Sequence, residues 1–343
     1  MSEPEVLFNV SGPAGVITLN RPKALNAVTL DMVRAMQPQL ERWAEDDRIH
    51  HVLIKAAGEK AFSAGGDIRA LYDWGRAGDE KFLTFYREEY ILNTFIKRFP
   101  KPYIALIDGI DMGGGVGVSI HGSHRVMTEK LVFAMPETGI GLFPDVGGTY
   151  FLPRCPGEIG MYMALTGARL RAADALYAGL ATHHVPSGRL VALEEALVSS
   201  TDIEEVLKGF SADAGSSKLA SVREDIDKHF HAGSVEAILA NLDADGSEWA
   251  AEQAAVMRTK SPTSQKIAFR QIRDGAKVSF EECMQIEWRM VNRIFSGHDF
   301  FEGIRAVVVD KDNAPAWDPA TLDKVTDAQV QDYFAPLRKE LPI

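Results

Sequence analysis

The chain has 343 residues, of which 46% are hydrophobic, and a formal net charge of -11. This length suits one large domain or a core with a smaller appendage, and the hydrophobic content is enough to bury a substantial core. The negative charge, together with the lack of a basic run with interleaved aromatic residues, argues against a nucleic-acid partner, and no apolar run approaches the ~20 residues that cross a bilayer.

Strand and helix patterns alternate in the first part of the chain. Two short strands joined by a Gly-Pro turn open it, a helix begins at the N-cap Thr29 and runs to residue 44, and helical patterns fill residues 68–98. This alternation predicts an α/β fold with right-handed crossover connections. The predicted strands are residues 6–10, 16–19, 51–55, 103–107, 124–127 and 131–134.

Strand patterns nearly end beyond residue 161. Helical patterns predominate from there to about residue 310, and the tail after Ala314 is typical of a loop followed by a short helix. Residues 211–217, rich in Ser, Ala and Gly, resemble a linker. We therefore predict two parts, a core of residues 1–205 and a mainly helical region of residues 206–343.

The first residues of the chain, MSEPEVLFNV, contain no sorting pattern. They have neither the basic segment of a secretory signal nor the arginine-rich amphipathic pattern of a transit peptide. We therefore predict a cytoplasmic protein, with a mature form that lacks its targeting segment as the alternative.

Two glycine-rich turns follow strand patterns. Residues 61–68 (AFSAGGDI) contain Gly66, and residues 108–115 (DGIDMGGG) contain Gly114. Glycine lets a backbone approach a ligand closely, and the amides that open a following helix have no partner within it. Two such amides are what an oxyanion hole requires. The alternative is that the glycines only permit tight packing of helix against strand.

Two acids follow the second turn, set among Pro, Gly and apolar residues. Glu137 and Asp145 lie within residues 135–148, MPETGIGLFPDVGG. An acid in apolar surroundings tends to be paired or functional. Partial burial would raise the proton affinity of Glu137, as a general base requires.

Together these segments resemble the enoyl-CoA hydratase/isomerase (crotonase) superfamily. Residues 20–27 (NRPKALNA), 61–68 and 108–115 match its three signature segments in order. Residues 135–148 are similar to the subgroup of 3-hydroxyisobutyryl-CoA hydrolases, which are thioesterases of valine breakdown. The resemblance implies a crotonase-like core, with two roughly perpendicular β-sheets wrapped by helices, and an acyl-CoA substrate.

The resemblance also implies roles for individual residues. The amides of Gly66 and Gly114 are implied to hold the thioester carbonyl oxygen. Glu137 is implied as the catalytic acid, and Asp145 as the acid that the hydrolases carry eight residues further on. The residues implied to contact the CoA moiety are Lys23, Ala24, Ala64 and Arg69.

Thioester hydrolysis needs a nucleophile besides the oxyanion hole. Glu137 could deprotonate a water molecule, or it could attack the carbonyl carbon to give a mixed anhydride that water then opens. The sequence leaves both routes open. Asp145 is expected to accept a hydrogen bond from the 3-hydroxyl of the substrate or to orient the water, against a purely structural role in its loop.

One position departs from the hydratase pattern. Hydratases carry a second glutamate shortly after the triple glycine, and this sequence has Gly117 at that place. Adding water across a double bond usually employs two carboxylates, so the sequence favours a hydrolase. The alternatives are an enoyl-CoA hydratase or isomerase and a non-catalytic acyl-CoA-binding protein.

No metal or cofactor is predicted beyond the CoA that the substrate carries. The two cysteines, Cys155 and Cys283, lie far apart and have no Cys or His at ligand spacing, which argues against a disulfide framework or a zinc site. Superfamily members often form trimers or paired trimers, so one expectation is a homo-oligomer. The other is that the longer C-terminal part covers that surface.

Overall fold

A computed structural model describes residues 3–343 of the chain. The strands are β1 (Val6–Ser11), β2 (Ala14–Leu19), β3 (His51–Ala56), β4 (Ala61–Ser63), β5 (Tyr103–Ile107), β6 (Ile110–Met112), β7 (His124–Met127), β8 (Val132–Ala134) and β9 (His183–His184). The first helices are α1 (Leu30–Glu45), α2 (Ile68–Ala77), α3 (Lys81–Lys97), α4 (Gly114–Ser119), α5 (Gly148–Phe151), α6 (Ile159–Thr166), α7 (Ala172–Tyr177), α8 (Leu190–Leu197) and α9 (Ile203–Phe210). The later helices are α10 (Lys218–Ser221), α11 (Arg223–Phe230), α12 (Val235–Asp245), α13 (Glu248–Arg258), α14 (Pro262–Gly275), α15 (Phe280–Ile294), α16 (Asp299–Ile304), which continues into a π-helical turn (Arg305–Val309), and α17 (Asp327–Phe334). Short 3-10 turns lie at Pro22–Ala24, Glu137–Ile140, Leu152–Arg154, Ser187–Arg189 and Leu322–Lys324.

Six strands form the larger sheet, in the order β1-β2-β3-β5-β7-β9. β1 and β2 pair antiparallel as the predicted hairpin, and each later neighbouring pair is parallel. Parallel neighbours need crossover connections, and α1 provides the first of them between β2 and β3. Thr29 caps α1 as predicted, since its hydroxyl accepts a hydrogen bond from the amide of Met32 at 3.1 Å.

Three short strands form a second sheet, in the order β4-β6-β8. β4 and β6 run parallel, with Ser63 opposite Asp111. Sequence patterns did not predict β4 and β6 because each has only three residues and continues into glycine, so neither offers a readable alternation. The α/β class with two sheets and a helical C-terminal region is confirmed.

The core of the larger sheet is aliphatic. Leu53 and Leu106 point from the central strands into a buried cluster that α8 and α9 complete with Leu193, Leu197 and Leu207. Fully burying such a side chain stabilises a fold by roughly 1.5–3 kcal/mol relative to leaving it exposed. This packing fixes β3 and β5, the strands that precede β4 and β6 along the chain.

The chain divides into two compact units, each built from three stretches. The first consists of Met1–Gly66, Ile91–Phe133 and Arg169–Ala220, and the second of Asp67–Tyr90, Ala134–Ala168 and Ser221–Ile343. This division differs from the single boundary after residue 205 predicted from the sequence. The reason is that, within the second unit, earlier stretches pack on late helices, α2 on α16 and α6 on α14.

The second unit is helical, and its helices are well capped. α14 begins at Ser261 and α15 at Ser279, each with a side-chain hydroxyl that accepts an amide hydrogen bond of the first turn. In α15 the side chain of Glu282 also reaches back to the amide of Ser279, a capping box. No helix in residues 3–343 is long and apolar enough to cross a membrane.

Candidate active site

Glu137 opens a 3-10 turn, Glu137–Ile140, in the second unit. The residue is 4% exposed, and its Oε2 has no hydrogen-bond partner among residues 3–343. Burial raises the pKa of Glu137 well above its ordinary value; the negative charges of Asp145 and Glu287 raise it further, and a backbone hydrogen bond opposes them. A carboxyl in this state binds a proton tightly, which suits it to accept one from water.

Asp145 lies in the loop between this turn and α5. It is buried, and its Oδ2 accepts a hydrogen bond of 3.0 Å from the hydroxyl of Tyr90. Burial raises the pKa of Asp145 to about 7, and the hydrogen bond from Tyr90 opposes that rise. The charge of Asp145 in turn raises the pKa of Glu137, so the two predicted acids belong to one electrostatic cluster.

Two further buried carboxyls that the sequence analysis missed join this cluster. Glu89 on α3 has an Oε1 without a hydrogen-bond partner in the described part of the chain. Its pKa is raised well above the ordinary value by burial and by the charges of Asp145 and Glu287. Burial, with the charge of Asp145, raises the pKa of Glu287 on α15 to about 8. We refer to Glu89, Glu137, Asp145 and Glu287 as the acid cluster.

The sequence contained a signal for both missed acids. Glu89 lies one turn after the buried Phe85 on α3, and Glu287 lies one turn after the buried Met284 on α15. An acid on the apolar stripe of a helix is unusual, because that stripe faces the core. A glutamate three or four residues after an apolar core residue of a helix therefore indicates a candidate buried acid.

The two predicted glycine turns lie side by side in the first unit. They follow β4 and β6, which are parallel neighbours, so both turns leave the same edge of the small sheet. A Cβ built on Gly65 would lie 4.0 Å from the amide nitrogen of Gly114, so the two backbones are in van der Waals range. Gly66 ends the first turn and Gly114 opens α4, whose first amides have no partner within the helix.

Glycine is sterically required in the second turn. A Cβ on Gly115 would lie 2.6 Å from the Cβ of Ser63 and 2.8 Å from Oδ1 of Asp111. Gly113, the N-cap of α4, has φ +47° and ψ -125°, a conformation that residues with a Cβ rarely adopt. The close packing expected of these glycines is therefore present, whether or not their amides also bind a ligand.

A buried acid lies directly under this turn. Asp111 is fully buried in β6; its Oδ2 accepts a hydrogen bond of 2.8 Å from the hydroxyl of Ser119, and its Oδ1 has no hydrogen-bond partner among residues 3–343. Burial raises the pKa of Asp111 to about 7, and the hydrogen bond from Ser119 opposes that rise. Burial alone raises this pKa, whereas in the second unit the negative charges of neighbouring acids also raise the pKa of Glu137.

Three of the four residues predicted to contact CoA lie near one another in the first unit. Lys23 and Ala24 belong to the 3-10 turn Pro22–Ala24, and the amide of Ala64 donates to the carbonyl of Leu25 at 3.0 Å. A cavity of about 420 Å³ opens beside this turn. Its lining includes Lys23 and Lys60, a second cation that the sequence analysis did not identify.

Arg69, the fourth predicted CoA contact, belongs to the second unit. It lies on α2 and forms an ion pair of 3.0 Å with Asp73, one helical turn away. Both side chains are about half exposed, 54% for Arg69 and 55% for Asp73. This pair leaves the guanidinium accessible to solvent.

The described residues contain no arrangement typical of a metal site. No group of three or more His, Cys, Asp or Glu side chains within residues 3–343 could hold a metal ion. Cys155 and Cys283 are separate, buried, free thiols, and burial raises the pKa of each to about 12. A thiol in that state is a poor nucleophile at neutral pH.

The sequence model of one protein family, described as enoyl-CoA hydratase/isomerase, matches residues 14–334. The chain belongs to this family. This confirms the predicted resemblance to the superfamily. The matched residues of this family member include its C-terminal helices.

Curated relatives of this family member are close in sequence. A protein of Danio rerio named 3-hydroxyisobutyryl-CoA hydrolase, mitochondrial, is 51% identical, over 97% of this chain and 90% of that protein. The protein of the same name in Xenopus tropicalis is 50% identical, over 97% of this chain and 89% of that protein. The predicted resemblance to the hydrolase subgroup is confirmed.

A solved structure confirms the predicted crotonase-like fold. It is named a carnitinyl-CoA dehydratase from Mycobacterium thermoresistibile, and it is 42% identical to this family member. The two superpose with a TM-score of 0.95, over 99% of this chain and 98% of that chain. Its name refers to a dehydratase, whereas the names of the curated relatives refer to a hydrolase.

The cytoplasmic localisation predicted from the sequence is wrong. The curated relatives that share half of their residues with this chain are named as mitochondrial proteins. The prediction rested on the lack of a sorting pattern in the first residues, and a missing pattern is not a positive signal for any compartment.

Proposed function

We propose that this protein hydrolyses an acyl-CoA thioester, converting 3-hydroxyisobutyryl-CoA to 3-hydroxyisobutyrate and free CoA. The observation that carries the proposal is the pair of buried acids, Glu137 and Asp145, in a chain half identical to relatives named for this reaction. With this substrate the reaction belongs to valine breakdown.

In this proposal two backbone amides stabilise the charge that develops during hydrolysis. Attack on the thioester puts negative charge on the carbonyl oxygen, and the amides of Gly66 and Gly114 donate to that oxygen. Fixed donors act strongly at such a position, and removing one typically lowers turnover ~10²- to 10³-fold. The adjacency of the two turns in the first unit supports this role.

Glu137 provides the nucleophilic step. Its raised pKa makes it a strong proton acceptor once it is ionised. It either takes a proton from the attacking water or attacks the carbonyl carbon itself, with water opening the resulting anhydride. In both routes the C–S bond breaks and the CoA thiolate leaves. In the water route it takes up the proton held by Glu137; in the anhydride route water splits the anhydride, and the proton released by the acid product goes to the thiolate, so Glu137 returns to its ionised state.

Asp145 recognises the acyl group or the water. Its Oδ2 accepts a hydrogen bond from the hydroxyl of Tyr90, and in this proposal the carboxyl also accepts one from the 3-hydroxyl of the substrate or orients the water. A buried site that binds a hydroxyl group discriminates strongly against substrates without it. This role predicts a preference for 3-hydroxylated acyl groups.

The CoA moiety contacts the predicted residues Lys23, Ala24, Ala64 and Arg69. Lys23 and Lys60 line the 420 Å³ cavity of the first unit, and their positive charges favour an anionic ligand there. Cations of this kind offset the net negative charge of the chain for an anionic ligand.

The decisive experiment measures CoA release with a thiol reagent from 3-hydroxyisobutyryl-CoA. We expect turnover by the wild-type protein and its loss in Glu137→Gln, with an unchanged circular dichroism spectrum and melting temperature. Undiminished turnover in that variant would refute the role of Glu137.

A dehydratase or hydratase is the second candidate, favoured by the name of the solved structure at 42% identity. Against it, the position of the second hydratase glutamate is Gly117, which has no side chain to supply the second carboxylate. Loss of enoyl absorbance from crotonyl-CoA measures hydration directly. We expect little or none, and rapid hydration without CoA release would replace the hydrolase proposal.

A further inference from the structure

The loop that carries Asp145 has an unfavourable backbone conformation. Val146 has φ +48°, and the next residue, Gly147, has φ +92°. A β-branched residue with positive φ is a steric outlier, and such a conformation persists only where surrounding contacts hold it. The loop therefore needs support from outside its own sequence.

Glu287 on α15 provides such support. Its Oε2 accepts a hydrogen bond from the amide of Gly147, and its Oε1 accepts one from the amide of Thr149, both at 2.9 Å. Glu287 is 0% exposed, so water does not compete for either bond. A single carboxylate thus fixes two amides just C-terminal to Asp145.

Gln271 on α14 holds the same loop at both ends. Its Nε2 donates to the carbonyl of Pro144 at 2.6 Å and to Oγ1 of Thr149 at 2.7 Å. The hydroxyl of Tyr90 contacts the Asp145 side chain itself. The loop is therefore clamped around the carboxyl that we propose recognises substrate or water.

We propose that Glu287 is a positioning residue for the thioesterase reaction, an inference that rests on the function proposed above. By holding the amides of Gly147 and Thr149, Glu287 keeps the carboxyl of Asp145 in its working position without touching substrate. A carboxyl group suits this task because both of its oxygens can accept, most fully in the ionised form that predominates above its pKa of about 8. An amide at this position offers one acceptor and places an NH₂ donor against a backbone N-H.

The charge of Glu287 also acts on neighbouring groups. It raises the pKa of Glu137, so removing it lowers that pKa. The titration of Glu137 therefore reports the lost charge, and the preference for the hydroxylated substrate reports the position of Asp145. The titratable groups whose pKa Glu287 raises are Glu89 and Tyr90 on α3, Glu137 in its 3-10 turn and Cys283 on α15 itself, and the charge of Asp145 raises the pKa of Glu287 in return.

The kinetic test compares Glu287→Gln, Asp145→Asn and the double variant on 3-hydroxyisobutyryl-CoA and on isobutyryl-CoA, which lacks the hydroxyl. Misplacing a reacting group by about 1 Å can lower turnover ~10²-fold, so we expect Glu287→Gln to lower kcat about 10- to 100-fold. We also expect a weaker preference for the hydroxylated substrate and a rising limb of the pH-rate profile at lower pH.

The double variant separates positioning from an independent contribution. Both single variants disable the same carboxyl, so the double variant should be no slower than the slower of the two. A double variant whose loss equals the product of the two single losses would overturn the proposal. Glu287→Asp retains the charge on a shorter side chain, and part of the lost kcat should return.

A crystal structure of Glu287→Gln gives a readout that does not depend on activity. We expect residues 146–149 to leave their present φ values and the carboxyl of Asp145 to move. An unchanged loop would refute the positioning role even if the wild-type protein were inactive, whereas a wild-type protein that releases no CoA would refute only the proposed function. If Glu287→Gln does not fold, the measurements on Glu287→Asp decide.

Discussion

Glu137 is a carboxyl whose surroundings favour its protonated form. Because a base must be ionised to act, its raised pKa places the rising limb of kcat/KM above the ordinary glutamate value of 4.5. Asp145→Asn removes a negative charge that raises this pKa, so the limb should move to lower pH in that variant. Rates of CoA release between pH 5 and 9 measure both effects.

A surface variant serves as the control for this titration. Asp323→Asn changes an exposed carboxyl of the same unit and should leave the limb in place. A wild-type limb near pH 4.5, or an Asp145→Asn limb that coincides with that of the wild type, would contradict the role of Glu137.

Asp111 should make stability depend on pH. Its pKa is 3.8 when unperturbed and about 7 when buried in the fold, so the folded state holds a proton that the unfolded state has lost between these values. Stability therefore falls as pH rises from about 4 to about 7, at about 1.4 kcal/mol for each pKa unit of difference. Asp111→Asn should raise the melting temperature by several degrees more at pH 8.5 than at pH 5.

The control for Asp111 is Asp47→Asn, which changes an exposed acid of the same unit. Its shift in melting temperature should be small and equal at the two pH values. An equal shift for Asp111→Asn at pH 5 and pH 8.5 would show that Asp111 is ionised in the folded protein.

At the residue scale, the sequence revealed acids in apolar segments better than acids in helices. Glu137 and Asp145 were identified because their immediate neighbours are Pro, Gly and apolar residues. Glu89 and Glu287 lie on helices that also carry several charged residues, and their burial depends on which helix face meets the core. That face is set by tertiary packing, and in the sequence it is marked by the apolar residues one turn earlier, Phe85 and Met284.

At the scale of elements, α4 depends on glycine for its approach to β4. Gly115→Ala would place a Cβ 2.6 Å from the Cβ of Ser63, so we expect a lower melting temperature and at least a tenfold loss of kcat as the glycine turns separate. Thermal melting and CoA release measure the two effects.

Gly209 on α9 offers a matched glycine for comparison. A Cβ there would meet no atom within 4 Å, so Gly209→Ala should be neutral or stabilise by up to about 1 kcal/mol, the difference in helix propensity. If both alanine variants behaved alike, steric exclusion at Gly115 would not be the reason for its glycine.

The elements that the sequence predicted best are those with a continuous hydrophobic pattern or a clear N-cap residue. Helix α1 and strands β5 and β7 were predicted close to their observed bounds, because β-branched and apolar runs or an N-cap threonine mark them. β4 and β6 were missed as strands because three residues do not complete a pattern. The glycine turns themselves were located, since glycine runs are visible without knowledge of the sheet.

At the scale of the whole molecule, a chain with net charge -11 that binds CoA needs local cations. Lys23 and Lys60 are exposed and line one cavity of the first unit. Lys23→Ala and Lys60→Ala should each raise the KM for 3-hydroxyisobutyryl-CoA about two- to fivefold, the contribution of an exposed ion pair, with kcat unchanged.

A truncated substrate checks this assignment. The pantetheine thioester of 3-hydroxyisobutyrate lacks the nucleotide phosphates, so both lysine variants should match the wild type on it. An equal increase of KM for both substrates would assign the lysines to folding or to the acyl end.

The division of the molecule was the least predictable feature. The end of the strand patterns and a linker-like run predicted one boundary after residue 205, and residues 211–217 are without helix or strand. The compact units, however, combine early and late stretches. Local composition can indicate a flexible segment, but it does not show which distant stretches of the chain pack together.

The clamp on the Asp145 loop also sets an order of events during synthesis. Pro144 and Thr149 leave the ribosome long before Gln271 and Glu287, which hold them. A nascent chain that has reached only residue 205 already contains Glu137 and Asp145 but lacks the groups that hold the Asp145 loop. We therefore expect thioesterase activity only in chains long enough to include α15.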